Sequence, residues 1–351
     1  MSALGAILRR RISAGGPMTL ADYMAECLLH PDHGYYATRD PFGSAGDFTT
    51  APEISQMFGE LIGLSLAQYW MDMGAPACAL VELGPGRGTL MADILRATRR
   101  VPEFHASVSV YLMEASAVLR AQQRQTLSAY KVHWIDSISD LPDLPLLAVA
   151  NEFFDALPIR QFTRVGNGWA ETVVGLVDDA LKLGQTAPAP IGLLAHRLGD
   201  TREGDVVEIC PAAAPIAGEI GQRIGGKGGC ALFIDYGGWT SFGDTFQAMQ
   251  DHRFVDPLHS PGEADLTAHV DFRYLADNAL PAAHAFATQG AFLGALGIDL
   301  RSSTLAAKLD GPALEAHLLA HRRLTDPAEM GSLFKVLALH RAGMPPPPGM
   351  H

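Results

Sequence analysis

Cysteine is scarce and scattered. Cys27, Cys78, Cys210 and Cys230 stand far apart, and none belongs to a C-x-x-C pair. Neither a disulfide framework nor a structural zinc site is indicated. Reduced thiols in a cytosol-like compartment are the reading that follows. Long apolar runs are also missing: nowhere do about 18 apolar residues follow one another, so no membrane span is expected. Basic residues are in deficit, with 26 Lys plus Arg against 38 Asp plus Glu and a formal net charge of −12. That excludes a general nucleic-acid binder and suits a cationic ligand or a cationic protein segment. No G-x-S-x-G elbow is present. The histidines, His252, His259, His269 and His284 among them, are assigned no metal. What is present is apolar mass. Hydrophobic residues make up 48% of 351 and charged residues 18%, which excludes disorder and supports one large domain or two of ~150 residues.

Spacing organises that mass. Leu4, Ile7, Leu8 and Ile12 predict a helix through Arg9-Arg10-Arg11, and Thr19 opens a second, capped helix. This is read as folded structure in preference to a cleaved transit peptide. The turn-rich stretch 31–53 reads as a long loop, and 54–73 as a helix. Four apolar runs follow, at 79–83, 108–114, 146–151 and 230–235, with helices between the early ones near 89–99 and 116–129. Apolar strands flanked by helices indicate a parallel sheet covered on both faces. Residues 159–180 alternate about Gly166-Asn167-Gly168 as a hairpin. Residues 241–270 read as polar loop, 271–279 and 303–324 as helical, and 334–339 as a closing strand; the Pro345–Pro348 tail is expected to be solvated.

Chemistry concentrates where strands end. Val81-Glu82-Leu83 runs into Gly84-Pro85-Gly86-Arg87-Gly88, and a helix follows. Glycines here permit positive φ and close ligand approach. The spacing is G-x-G-x-G and not G-x-G-x-x-G, and Pro85 removes an amide that a pyrophosphate cradle would use. The pattern suits an adenosine ligand without a pyrophosphate and disfavours a nicotinamide oxidoreductase. Glu114 ends the next strand, where a carboxylate accepts from ribose hydroxyls. S-adenosylmethionine carries such a ribose, and Glu82 suits its ammonium or sulfonium charge. The third strand ends in Asn151-Glu152-Phe153-Phe154-Asp155. Glu152, with Asp155, can hold a guanidinium, whose rigid fork of donors requires carboxylates in its plane; helix capping by Asn151 or Asp155 is the competing reading. In Gly46-Asp47-Phe48-Thr49-Thr50-Ala51-Pro52-Glu53 a capping role accounts for Thr50 through Glu53. His269 and Asp271 mark either a pocket edge or a satisfied surface pair.

Six blocks stand in order: Gly34-Tyr35-Tyr36; Gly46-Asp47-Phe48 through Glu60; Glu82 through Leu90; Asn151 through Pro158; Ile234-Asp235-Tyr236-Gly237; and Asp265 through Phe272. Together they resemble the MidA-like family of S-adenosylmethionine-dependent methyltransferases. The resemblance implies an α/β fold with a Rossmann-like class I methyltransferase core. It implies an N-terminal helical extension and cofactor-covering loop over 1–60, the core over 61–240 with a hairpin insertion near 159–205, and insertion helices and closing strands over 241–351. Cofactor contacts fall on Glu82, Gly84, Gly86, Gly88, Glu114, Asn151, Gly46 and Thr50. Catalytic roles fall on Glu152, Asp155 and Asp47, with Asp235 a further candidate proton acceptor. The implied activity is symmetric dimethylation of an arginine in a respiratory complex I subunit, in a bacterial cytoplasm or, for eukaryotic relatives, the mitochondrial matrix. The implied partner is that protein substrate, and a homodimer is compatible with the sequence. Alternatives are a cofactor-binding assembly chaperone with little catalysis and a methyltransferase for another substrate.

Overall fold

A strand apolar at every position has to be covered on both faces, and such runs set the centre of this chain. The computed structural model describes residues 2–38 and 49–350. Its main sheet runs through β1 (Cys78–Leu83), β2 (Val108–Met113), β3 (Val132–Ile135), β4 (Leu146–Asn151), β5 (Gly229–Gly238), β6 (Ala283–Thr288) and β7 (Phe334–His340). Spatially the order is 3-2-1-4-5-7-6. β1 to β5 pair in parallel, with Leu80 opposite both Val110 and Leu147 and Leu232 opposite Val149. β7 runs antiparallel to both β5 and β6. Every residue of β1 and of β4 is buried. The chain steps outward from β1 to β3, then returns to β4 on the other side of β1. That reversal places a topological switch point between β1 and β4, where open sheets bind ligands at the carboxyl ends of their strands. The expected Rossmann-like core is therefore present.

The chain divides into two compact units, each built from separated segments. The second, carrying this sheet, comprises Thr49–Phe154, Ala214–Gly237 and Leu275–His351; the first comprises Met1–Phe48, Asp155–Ala213 and Gly238–Tyr274.

In the second unit the helix Gln56–Asp72 packs unusually close to Thr89–Ala97. A Cβ on Gly59 would lie 2.6 Å from the Asp93 Cβ, and one on Gly63 would lie 2.9 Å from the Ile94 Cα. Glycines four apart on one face make that approach sterically feasible. Between them in sequence, buried Glu60 binds Arg96 at 2.7 Å and Arg301 at 2.8 Å. These cations hold its carboxyl below the ordinary value in spite of burial.

The first unit pairs the helices Ala3–Gly15 and Leu20–Leu29 with an antiparallel sheet. Ser2 and Thr19 cap the two helices by accepting from the Gly5 and Asp22 amides. The expected hairpin joins Arg160–Val165 to Gly168–Val177, and a further turn at Asp178-Asp179 adds Ala180–Gln185. Leu4, Leu8, Tyr23 and Met24 form its core with Val174 and Leu266.

Several segments depart from expectation. β3 and β6 are strands the spacing does not predict, because both are partly exposed and carry no continuous apolar run. Residues 241–270 include a three-stranded sheet of Gln247–Gln250, Arg253–Val255 and Asp265–Thr267. The 303–324 segment is two helices, Ile298–Ala306 and Gly311–Thr325, interrupted before Gly311-Pro312. His317 and His321 lie four apart on the latter, a metal-compatible spacing that the sequence reading passed over. Instead they pin the two helices together, His317 to Ser302 at 2.9 Å and His321 to Asp299 at 2.9 Å. The proline tail is not solvated: Pro347 and Met350 are buried, and the Pro348 carbonyl accepts from Ser65 Oγ at 2.8 Å.

Candidate active site

The site builds up from three strand tips. At the end of β1, Glu82 is 3% exposed. Its carboxylate accepts from the Met91 amide in the following helix, and Oε2 has no hydrogen-bond partner among the described residues. Burial pushes its carboxyl well above the usual range, and the nearby charge of Glu114 adds to the shift. The glycine loop follows, with φ of 62°, 53° and 82° at Gly84, Gly86 and Gly88. All three lie in the left-handed region that favours glycine. A Cβ on Gly84 would stand 2.8 Å from the Phe153 ring, so the loop passes directly beneath that aromatic.

At the end of β2, Glu114 is oriented from two sides. Oε1 accepts from the Ser116 amide at 2.7 Å and Oε2 from Gln123 Nε2 at 3.1 Å. Burial raises its carboxyl, and these donors pull against that rise. The same Gln123 nitrogen donates to the Gly86 carbonyl at 2.7 Å. Sequence reading missed Gln123. The available signal was a glutamine four residues after Leu119, on the buried face of its helix.

At the end of β4, Asn151 is buried; Nδ2 donates to Glu152 Oε1 at 3.0 Å, and Oδ1 has no partner among the described residues. Glu152 adopts φ +51°, a strained conformation for a residue with a side chain. Its Oε1 also accepts from the Ala51 amide at 3.1 Å. Asp235 supports this turn, accepting from the Phe153 and Phe154 amides at 3.3 and 3.1 Å and from Tyr236 at 2.9 Å. These bonds make Asp235 a support of the turn. Phe153 and Phe154 meet edge to face at 5.1 Å beside Glu152, the expected apolar wall.

The segment after residue 48 is tied to two of these tips. Ala51 reaches Glu152, and Glu53 Oε1 accepts from Thr89 Oγ1 at 2.5 Å, at the head of the helix after the glycines. Thr50 is buried at the cap position of Ala51–Ile54, but its side chain makes no capping bond. Gly46 and Asp47 lie outside the described residues.

Asp155 belongs to the first unit. Its carbonyl accepts from the Ala268 amide at 3.0 Å. No helix begins after Asn151 or Asp155, so neither is a helix cap. In the same unit Tyr36 donates to Asp265 at 2.9 Å, and burial with the charges of Asp265 and Asp155 raises its hydroxyl strongly. Asp271 accepts from Ser241 and Tyr274, anchoring Phe272–Asn278, while the His269 amide donates to Thr245. Asp271 thus anchors the start of this helix. Among the described residues no three His, Cys, Asp or Glu side chains group as a metal site, and no helix is long and apolar enough to cross a membrane.

The acceptor groups at these tips fit S-adenosylmethionine. Two buried acceptor atoms, on Glu82 and Asn151, face no protein donor among the described residues. They stand at the tips of adjacent strands, near the Glu114 carboxylate and a glycine loop with no room for a Cβ at Gly84. Residues 61–290 match the family described as "Putative S-adenosyl-L-methionine-dependent methyltransferase". The chain is 39% identical to the protein arginine methyltransferase NDUFAF7, mitochondrial, of Bos taurus, over 94% of this chain and 81% of the relative. It is also 39% identical to the Homo sapiens protein of that name, over 95% and 82%. A crystal structure from Burkholderia thailandensis, bound to S-adenosyl-homocysteine, superposes with TM-score 0.81 at 30% identity, covering 99% of this chain and 92% of that one. The match over most of the chain and the geometry at the strand tips agree: the chain belongs to this family of S-adenosylmethionine-dependent methyltransferases.

Proposed function

We propose that the chain methylates arginine in a protein substrate, with Glu152 receiving the guanidinium. The reading is carried by one observation: a carboxylate held at positive φ at the tip of β4, beside the strand whose tip leads into the glycine loop. Relatives named protein arginine methyltransferase, at 36–39% identity over most of the chain, support it. The finer reading is symmetric dimethylation of a respiratory complex I subunit, in a cytoplasm. Buried thiols at Cys27, Cys78 and Cys230 suit a reducing compartment.

Bound S-adenosylmethionine supplies an already activated methyl group, so this chain's task is positioning and water exclusion. Glu82 accepts from the ammonium of the cofactor's amino-acid tail. Glu114 accepts from the ribose hydroxyls. Glu152 draws the positive charge of the guanidinium toward the nitrogens it binds and leaves another nitrogen more nucleophilic. Phe153 shields that edge. The Ala51 and Asn151 donors fix the Glu152 carboxylate beforehand, which reduces the reorganisation needed during transfer.

Glu152→Gln tests this assignment. Methyl transfer is expected to fall by at least about a hundredfold, while S-adenosylhomocysteine affinity stays within about threefold. Full transfer by the variant overturns the assignment. Intact masses of complex I subunits from cells with and without the protein test the substrate: loss of two methyl groups on one subunit supports it, and unchanged masses overturn it.

A further inference from the structure

We propose that Gln123 is a positioning residue of the cofactor site, setting the glycine loop and the Glu114 carboxylate in one register. The inference rests on the reading that Glu114 receives the ribose. Gln123 is completely buried, on the helix Ala117–Thr126. A buried primary amide is costly unless its groups are matched. Here Nε2 donates to the Gly86 carbonyl at 2.7 Å and to Glu114 Oε2 at 3.1 Å, and Oε1 accepts from Trp134 Nε1 at 2.8 Å. The amide orientation is dictated by these neighbours. An indole N–H can only donate, whereas a carbonyl and an ionised carboxylate can only accept.

One side chain therefore fixes two elements that the nucleoside must meet together. A Cβ on Gly88 would lie 3.5 Å from the Gln123 Cγ, so the end of the loop also closes against this residue. Gln123 further acts on the charge state of the acid. Glu114 must be ionised to accept from both hydroxyls, and it is buried close to the Glu82 carboxyl, with Arg120 as the nearby cation and the Ser116 and Ala115 amides as its other donors. Removing the Gln123 donor raises the proton affinity of Glu114. Binding that requires the ionised form then fails at a higher pH than in the parent protein.

S-adenosylhomocysteine titration calorimetry across pH tests this on the full chain, with unfolding of the free protein followed in parallel. Gln123→Met is expected to weaken binding about tenfold near neutral pH. Its acidic limb should move to higher pH, and the deficit should narrow under alkaline conditions. Gln123→Glu keeps the size and the acceptor for Trp134 but adds a charge beside Glu114, so its limb should move further the same way. This second variant carries the test if Gln123→Met does not fold. A purely structural role predicts lower stability with an unmoved limb, and that result overturns the inference. Glu114→Gln separates the two layers. If it leaves affinity and pH profile unchanged, the ribose reading has failed. If it weakens binding while the limb in the Gln123 variants stays put, only the role of Gln123 has failed.

Discussion

Glu60 and Glu82 are both buried carboxylates of the second unit, and their surroundings are opposite. Glu60 lies between two arginines and is held below the ordinary carboxylate value. Glu82 receives one backbone amide, lies near the like charge of Glu114, and is held well above that value by burial. The first is a carboxylate whose counter-charge is built into the chain. The second has an oxygen without a partner among the described residues, and in our proposal a ligand supplies its counter-charge. Burial alone does not distinguish the two, but the identity of the neighbouring groups does.

The largest separation is expected from deleting each acid. Glu60→Ala leaves Arg96 and Arg301 without their shared partner. Both arginines are more than a third exposed and can rehydrate, so the expected loss in unfolding free energy is about 2 kcal/mol, with S-adenosylhomocysteine affinity retained. Glu82→Gln should do the reverse: about tenfold weaker S-adenosylhomocysteine binding with unfolding stability kept or raised. Denaturant melts and calorimetry on the two variants break the comparison if either shows the other's pattern.

A smaller effect sharpens it. For Glu60 the folded value lies below the unfolded one, near 4.3. Its stabilisation is present above that unfolded value and is lost as pH falls through the folded one. For Glu82 the folded value lies above the unfolded one. Its unfavourable contribution is absent below the unfolded value and grows as pH rises toward the folded one. The stability difference between parent and Glu60→Ala should therefore shrink on acidification, whereas the advantage of Glu82→Gln should grow as pH rises from about 4.3 toward neutrality. Melts of both variants across that range check the two slopes.

The sheet was legible because β1, β4 and β5 are apolar along nearly their whole length, which leaves few alternatives to a doubly covered parallel sheet. The glycine loop was legible from its spacing, and Glu114 from its place at the next strand end. Edge strands β3 and β6 were not, because solvent on one side removes the apolar signal. Gln123 was illegible for a different reason. Its role is created by Gly86, Glu114 and Trp134, which come from three other elements, and no local pattern encodes that meeting. The separation of Asp155 from Glu152 into different units was equally invisible, because three consecutive residue steps cross a unit boundary without any composition change.

A crystal structure of this protein with S-adenosylhomocysteine tests the central claim most directly. The account predicts the ribose on Glu114 and the amino-acid tail against Glu82, above the Gly84–Gly88 loop. A nucleoside bound away from the tips of β1 and β2, with both acids filled by the protein's own side chains, would contradict it.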